Sequence, residues 1–225
     1  MRVLIHACPE RMWYVDQFLV PSLAGADVRI WNDTARHGCL RSCMEAFASC
    51  ADGGDTWHIQ DDVLLCRDFL ARAETFPSGP VVSGFCCAWF GDDPDLTGTV
   101  YMEDLWHSFQ CIRIPDARAR ECAEWYSSGS WARESDNVRL AVLAAANKGD
   151  DTFFHEFMAV RHGTETAVNA RPNLAEHVDL LLGGSVLHPY RDYQARAHWW
   201  PDEDLVAALR YELRSRRLGS WAPRD

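Results

Sequence analysis

The sequence predicts an α/β domain, a mostly parallel β-sheet flanked by helices, with a C-terminal helical extension. Three observations carry this. Short apolar, β-branched runs alternate with segments of helical period through the first half of the chain, the pattern of strand–helix–strand units. The 225 residues suit one sizeable domain, residues 1–200, with 201–225 as a C-terminal helix and tail. A composition 48% hydrophobic and 24% charged is that of a globular protein and excludes the disordered and fibrous classes.

Each element has its own signal. Residues 2–7 (RVLIHA) form a short apolar run that stops at Pro9, a buried first strand. Residues 12–23 place Trp13, Val15, Phe18, Leu19 and Leu23 near helical spacing, with Pro21 as an interruption. Residues 26–31 alternate with period two and end at Asn32-Asp33, a second strand. Residues 37–50 put Leu40, Cys43, Met44, Phe47 and Cys50 on one face of an amphipathic helix. Residues 57–60 (WHIQ) make the next strand and run directly into Asp61-Asp62.

Further along, residues 67–76 suit a helix, 81–85 a strand and 91–99 a loop of Asp, Gly and Pro. Residues 109–114 read as a strand and 115–126 as a helix with proline in its first turn. Residues 137–147 form a short helix of Ala, Leu and Val. The last helix, 202–218, has acids in its first turn, Arg216 and Arg217 in its last, and Gly219 behind.

Charge and cysteine usage narrow the classes. With 22 Lys plus Arg against 33 Asp plus Glu, the net charge of −11 disfavours a general nucleic-acid coat. Nine cysteines, an odd number with no C-x-x-C spacing, argue against a disulfide framework or a zinc knuckle and for a reducing, cytoplasmic setting. There is no apolar run of about 18 residues, hence no expected membrane span, and the opening run is too short for a secretion signal.

The chemistry concentrates at Asp61-Asp62. Two adjacent carboxylates at a strand end repel each other, and a divalent cation relieves the repulsion. Mg²⁺ or Mn²⁺ takes oxygen ligands, often from only one or two protein carboxylates, and completes its shell with substrate phosphates. In open α/β sheets such ligands sit beyond the carboxyl ends of the strands.

Residues 57–65 (WHIQDDVLL) resemble the metal motif of GT-A fold glycosyltransferases, in which an acidic D-x-D or a variant of it follows a central strand. They resemble more closely a group of small bacterial and phage-type enzymes with a Gln-Asp-Asp-Val core. The likeness extends to Ala7-Cys8-Pro9-Glu10-Arg11, to Trp31-Asn32-Asp33 and to residues 110–115 (QCIRIP). It continues through residues 172–178 (PNLAEHV) and Gly183-Gly184-Ser185. It thus covers most of the chain from Arg2 to about Trp200. The implied fold is the GT-A, Rossmann-like sheet. The implied activity is metal-dependent transfer of a sugar from a UDP- or GDP-sugar to a hydroxyl acceptor, either a surface glycan or a hydroxylated phage DNA base.

The resemblance distributes the roles as follows. Because the two acids are adjacent, the second, Asp62, is the expected metal ligand, and Asp61 is assigned to the ribose or a metal-bound water. Gln60 belongs to the same motif. His6, Ala7, Pro9, Glu10 and Arg11 fall where such enzymes hold base and ribose, and Arg11 suits a phosphate. Asn32 and Asp33 end the second strand, where such enzymes read the base or ribose; the pair is also a turn signal. His177 is expected as a further Mn²⁺ or Mg²⁺ ligand, with His188 and His198 as alternatives. Ser185 and its glycines offer backbone N–H groups to a pyrophosphate. Asp151, then Asp150, then Glu156 are candidates for the base that takes the acceptor proton; an N-cap is the competing role.

Arg191, Arg196, Arg210, Arg214, Arg216 and Arg217 give the C-terminal end a basic face that suits a DNA acceptor, although arginine in a last helical turn is favoured by the dipole anyway. A metal-dependent hydrolase or glycosidase and a non-catalytic binding module are the alternatives; no P-loop is present.

Overall fold

The computed structural model describes residues 1–51, 53–85, 109–163, 167–170, 173–178, 182 and 203–216. The expected loop at 91–99, Pro172, Gly183-Gly184-Ser185, His188, His198, Arg191, Arg196 and Arg217 lie outside them. In chain order the elements are β1 (Arg2–Ala7), α1 (Met12–Tyr14), a π-helical turn (Val15–Leu19), α2 (Val20–Ser22), β2 (Asp27–Asn32), α3 (Cys39–Ala48) and β3 (Asp55–Gln60). Then come β4 (Val63–Leu65), α4 (Phe69–Ala73), β5 (Val82–Ser83), β6 (Cys111–Pro115), α5 (Asp116–Ser127), α6 (Trp131–Glu134) and α7 (Arg139–Ala146). The chain continues through α8 (Asp150–His162), β7 (Val168–Asn169), β8 (Ala175–His177) and α9 (Glu203–Ser215).

Among the described residues six strands form the main sheet, in the order β2-β1-β3-β6-β5-β7. β1 pairs in parallel with β2 and β3, and β5 with β7; β6 alone runs against both its neighbours. The sheet is therefore mostly parallel, as the alternation of elements predicts. β4 and β8 form a separate antiparallel pair.

Strand alternation divides the core in two. Val3, Ile5, Trp57 and Ile59 face the α1–α2 segment, whose Tyr14, Val15, Phe18 and Leu19 are buried against them. Leu4, Ile112 and Ile114 face the other way, onto Leu40 and Phe47 of α3 and Phe153, Phe154 and Phe157 of α8. Burying each such side chain contributes roughly 1.5–3 kcal/mol, which is why both helical layers hold to the sheet. α9 adds Leu209 and Leu213 to the first layer, and Arg216 stacks over the Trp13 ring at 4.3 Å.

Several local expectations shift. The interruption predicted at Pro21 is absorbed by the π turn, where Val20 N–H bonds back to Val15 O. Pro115 ends β6 and precedes α5 rather than opening it. The helix begins at buried Asp116, which pairs with Arg2 at 2.7 Å and accepts from the Thr56 hydroxyl at 2.6 Å. The helix expected over 67–76 shrinks to α4. At Gly84 the backbone passes so close to β6 that a Cβ would sit 2.8 Å from Cys111 Sγ. Among the described residues no helix is long and apolar enough to cross a membrane.

Candidate active site

β1, β2 and β3 end side by side. Ala7 pairs with Asn32 and His6 with Gln60, so the chain leaves the sheet at Cys8, Asp33 and Asp61 along one edge. The connection from β1 to β2 packs on one face and α3, which leads to β3, on the other. The two connections diverge at β1, and that is where an open α/β sheet leaves a crevice. A cavity of about 280 Å³ opens there.

The sequence-predicted residues converge on it. His6, Ala7, Pro9 and Arg11 line it from β1 and its following turn, Asp33 from the end of β2, and Gln60, Asp61 and Asp62 from the end of β3. Asp150 reaches it from the start of α8, where Gln60 Nε2 donates to Asp150 Oδ2 at 3.3 Å.

A short 3₁₀ turn at Pro9–Arg11 folds Arg11 inward until it is 5% exposed. Its Nη1 lies 3.1 Å from Asp61 Oδ1 and 2.8 Å from Asp62 Oδ2. Asp61 Oδ2 also accepts the Cys8 backbone N–H at 2.6 Å, tying the ends of β1 and β3 together. Both oxygens of Asp61 are thus engaged within the protein.

Asp62 is different. β4 pairs with β8 so that Val63 sits opposite His177, and Val178 N–H bonds to Asp62 O at 2.7 Å. This register carries His177 Nε2 to 3.1 Å from Asp62 Oδ2. Asp62 Oδ1 is buried and has no hydrogen-bond partner among the described residues. The two acids consequently titrate in opposite directions. Burial, reinforced by the Asp62 charge, pushes Asp61 up to about 6. Burial also works against Asp62, but His177 and Arg11 outweigh it and hold Asp62 down at about 2. Asp62 is the firmly ionised member.

The remaining candidates separate. Burial and the Asp151 charge push Asp150 up to about 7 at the cavity wall. Asp151, the residue ranked ahead of it by sequence, is not part of that wall; its Oδ1 accepts Thr152 N–H at 2.6 Å, a helix-start contact. Glu156 accepts from Asn137 Nδ2 at 2.8 Å and from the Ser135 hydroxyl, holding the segment before α7 away from the cavity. Asp33 lines the cavity while accepting His37 N–H at 2.9 Å and Gly38 N–H at 3.1 Å, which shapes the turn into α3. Gly38 needs its φ of 85° there, with the Asn147 side chain packed against it.

The structure adds residues that sequence reasoning missed: Cys39, Ser42 and Cys43 from the first turns of α3, and Arg36, which pairs with Glu10 at the rim. The i, i+4 spacing of Cys39 and Cys43 shows that they share a helix face, but only the fold shows that this face meets the β1 end. Burial and Asp61 push the Cys8 thiol up to about 12, and burial and Asp150 do the same to Cys39, so neither is a thiolate nucleophile at neutral pH.

No cluster of three or more His, Cys, Asp or Glu side chains poised for a metal occurs among the described residues. The donor set that does exist, an ionised carboxylate with one uncommitted buried oxygen beside an imidazole, fits a cation that takes few protein ligands and fills its shell with phosphate and water. Compared with protein-family models and with curated proteins, the sequence matches neither a family nor a relative.

Proposed function

We propose that this chain is a metal-dependent glycosyltransferase that moves a sugar from a UDP- or GDP-sugar to a hydroxyl acceptor. The observation that carries the proposal is Asp62: it follows the end of a central strand, lines the crevice, stays ionised, is flanked by His177 and leaves Oδ1 without a partner among the described residues. Asp62 and His177 are the residues to hold Mn²⁺ or Mg²⁺, with Asp61 behind them. When bound, the ion offsets the negative charge of a departing nucleoside diphosphate.

The chain's own groups divide the remaining work. Arg11, held by both carboxylates, places a fixed positive charge beside them. Asp61, engaged by Cys8 N–H and Arg11, sets the spacing between the β1 and β3 ends rather than serving mainly as a ribose ligand. Asp150 takes the acceptor proton on its carboxylate, for which a pKa near the working pH is the efficient value. Gln60 orients that carboxylate. For the acceptor, a hydroxylated DNA base is less well supported than the arginine count suggests, since Arg216 is committed to Trp13 and Glu212.

Incubation with a panel of UDP- and GDP-sugars and Mn²⁺, with mass detection of products, tests the proposal. Free nucleoside diphosphate together with a glycosylated acceptor is the expected result. Free sugar alone makes the protein a hydrolase, and the absence of any metal-dependent nucleotide affinity makes it a binding module.

A further inference from the structure

Beneath the cavity the sheet carries two histidines that none of the roles above uses together. His6 and His58 stand on adjacent strands with Nε2 of His6 2.9 Å from Nδ1 of His58. His58 is 1% exposed, and its Nε2 lies 3.9 Å from Cys50 Sγ. Cys50 in turn lies 3.8 Å from Ala46 O. Phe47 packs its ring edge-on against both imidazoles, at 4.7 Å from His58 and 6.3 Å from His6.

One arrangement of protons that fits these contacts runs from the thiol to the cavity. The Cys50 thiol has one hydrogen; given to Ala46 O, which can only accept, it leaves sulfur as an acceptor. His58 then carries its hydrogen on Nε2 and presents a bare Nδ1. In that arrangement the hydrogen of the short His6–His58 contact sits on His6 Nε2. A neutral imidazole has one N–H, so His6 Nδ1 is then a bare acceptor on a residue that lines the cavity. Burial keeps both rings uncharged, holding His6 down at about 4 and His58 well below the usual imidazole range.

We infer that Cys50 and His58 lock His6 in its Nε2–H tautomer, so that His6 Nδ1 serves the cavity as an uncharged acceptor for an N–H or O–H group of the bound nucleotide. This subsite rests on the nucleotide reading of the cavity. Its chemistry is distinct from that of the carboxylates around it. Asp61 and Asp62 attract cations and arginine, whereas a neutral ring nitrogen accepts from an uncharged base or a ribose hydroxyl without competing for the metal. His58 is a positioning residue; His6 is the one that touches ligand.

Nitrogen-15 NMR of the full chain at pH 7 reads the tautomers directly. The expected spectrum has N–H on Nε2 of both rings, and a His6 Nδ1 resonance that shifts when UDP or GDP is added with Mg²⁺. By calorimetry His6→Phe should bind the nucleotide about five- to thirtyfold more weakly, the loss of one buried hydrogen bond, while His6→Asn, which keeps an acceptor near the Nδ1 position, retains most of the affinity. UDP methylated at the base N3 and 2′-deoxy-UDP separate the two donors: whichever analogue loses affinity on the parent but not further on His6→Phe identifies the group that His6 reads. An N–H on His6 Nδ1, or full affinity in His6→Phe, overturns the inference while leaving the proposed activity standing. If neither UDP nor GDP binds the parent at all, the nucleotide reading and the ligand role of His6 fall together, and the tautomer spectrum alone decides the relay.

Discussion

Asp62 Oδ2 and His177 Nε2 lie 3.1 Å apart, brought together by a three-residue strand on each side whose pairing sets Val63 opposite His177. Arg11 closes on the same oxygen from the first strand's turn at 2.8 Å. One carboxylate oxygen thus gathers three distant stretches of chain, and the other is left over.

Replacing Asp62 by Asn removes the ionised oxygen while keeping the side chain's shape. Metal-dependent binding of nucleoside diphosphate should be lost in titration calorimetry, with the circular dichroism spectrum of the parent retained. His177→Ala should weaken the same binding more than it lowers Tm. Parental affinity in Asp62→Asn would remove the metal assignment from this pair.

Asp150 and Asp151 are neighbours in sequence with different surroundings, and their amide variants should behave differently. Asp150→Asn is expected to keep donor binding and lose about 10²–10⁴-fold in kcat, the usual contribution of a general base. Asp151→Asn should turn over near the parental rate, because Asn serves a helix start nearly as well as Asp. The reverse ranking would return the base to Asp151.

The same Asp150→Asn change should stabilise the protein in a pH-dependent way. A carboxyl whose folded pKa is raised from 3.8 to about 7 costs nothing below the unfolded value, where it is neutral in both states. The cost grows as pH rises through that window and is complete above about 7. The variant's advantage in Tm should therefore be largest near pH 8 and vanish toward pH 4. It should be of order 1–3 kcal/mol, roughly 3–10 °C for a chain of this size. Differential scanning calorimetry across that range checks it; a pH-independent difference would mean that Asp150 is not buried as a proton carrier.

Glu156 accepts hydrogen bonds from Ser135 and Asn137. Glu156→Ala should cost about 1–3 kcal/mol of stability through the two partners left behind, with kcat unchanged once the protein is folded. A collapse of kcat at unchanged Tm would place Glu156 in the chemistry after all.

What the chain specifies locally was readable without coordinates. Strands β1, β2, β3 and β6 and helices α3, α5 and α9 follow from apolar spacing, because burial on one face of a strand or helix imposes its period on neighbouring residues. The position of Asp61-Asp62 at a strand end, and that of Asn32-Asp33 at another, came with those strands. Tertiary structure decided what depends on contacts between distant residues. β4 and β8 are three residues each, too short to carry a period, and exist as a pair only because each satisfies the other's backbone groups. That pairing is what brings His177 to Asp62. The choice of Asp150 over Asp151 was likewise tertiary: consecutive residues at a helix start point about 100° apart, and only the packing of α8 beside α3 turns the first of them into the cavity. The His6–His58 contact needs β1 and β3 to be adjacent and in register, a fact of the sheet's order that no stretch of either strand contains.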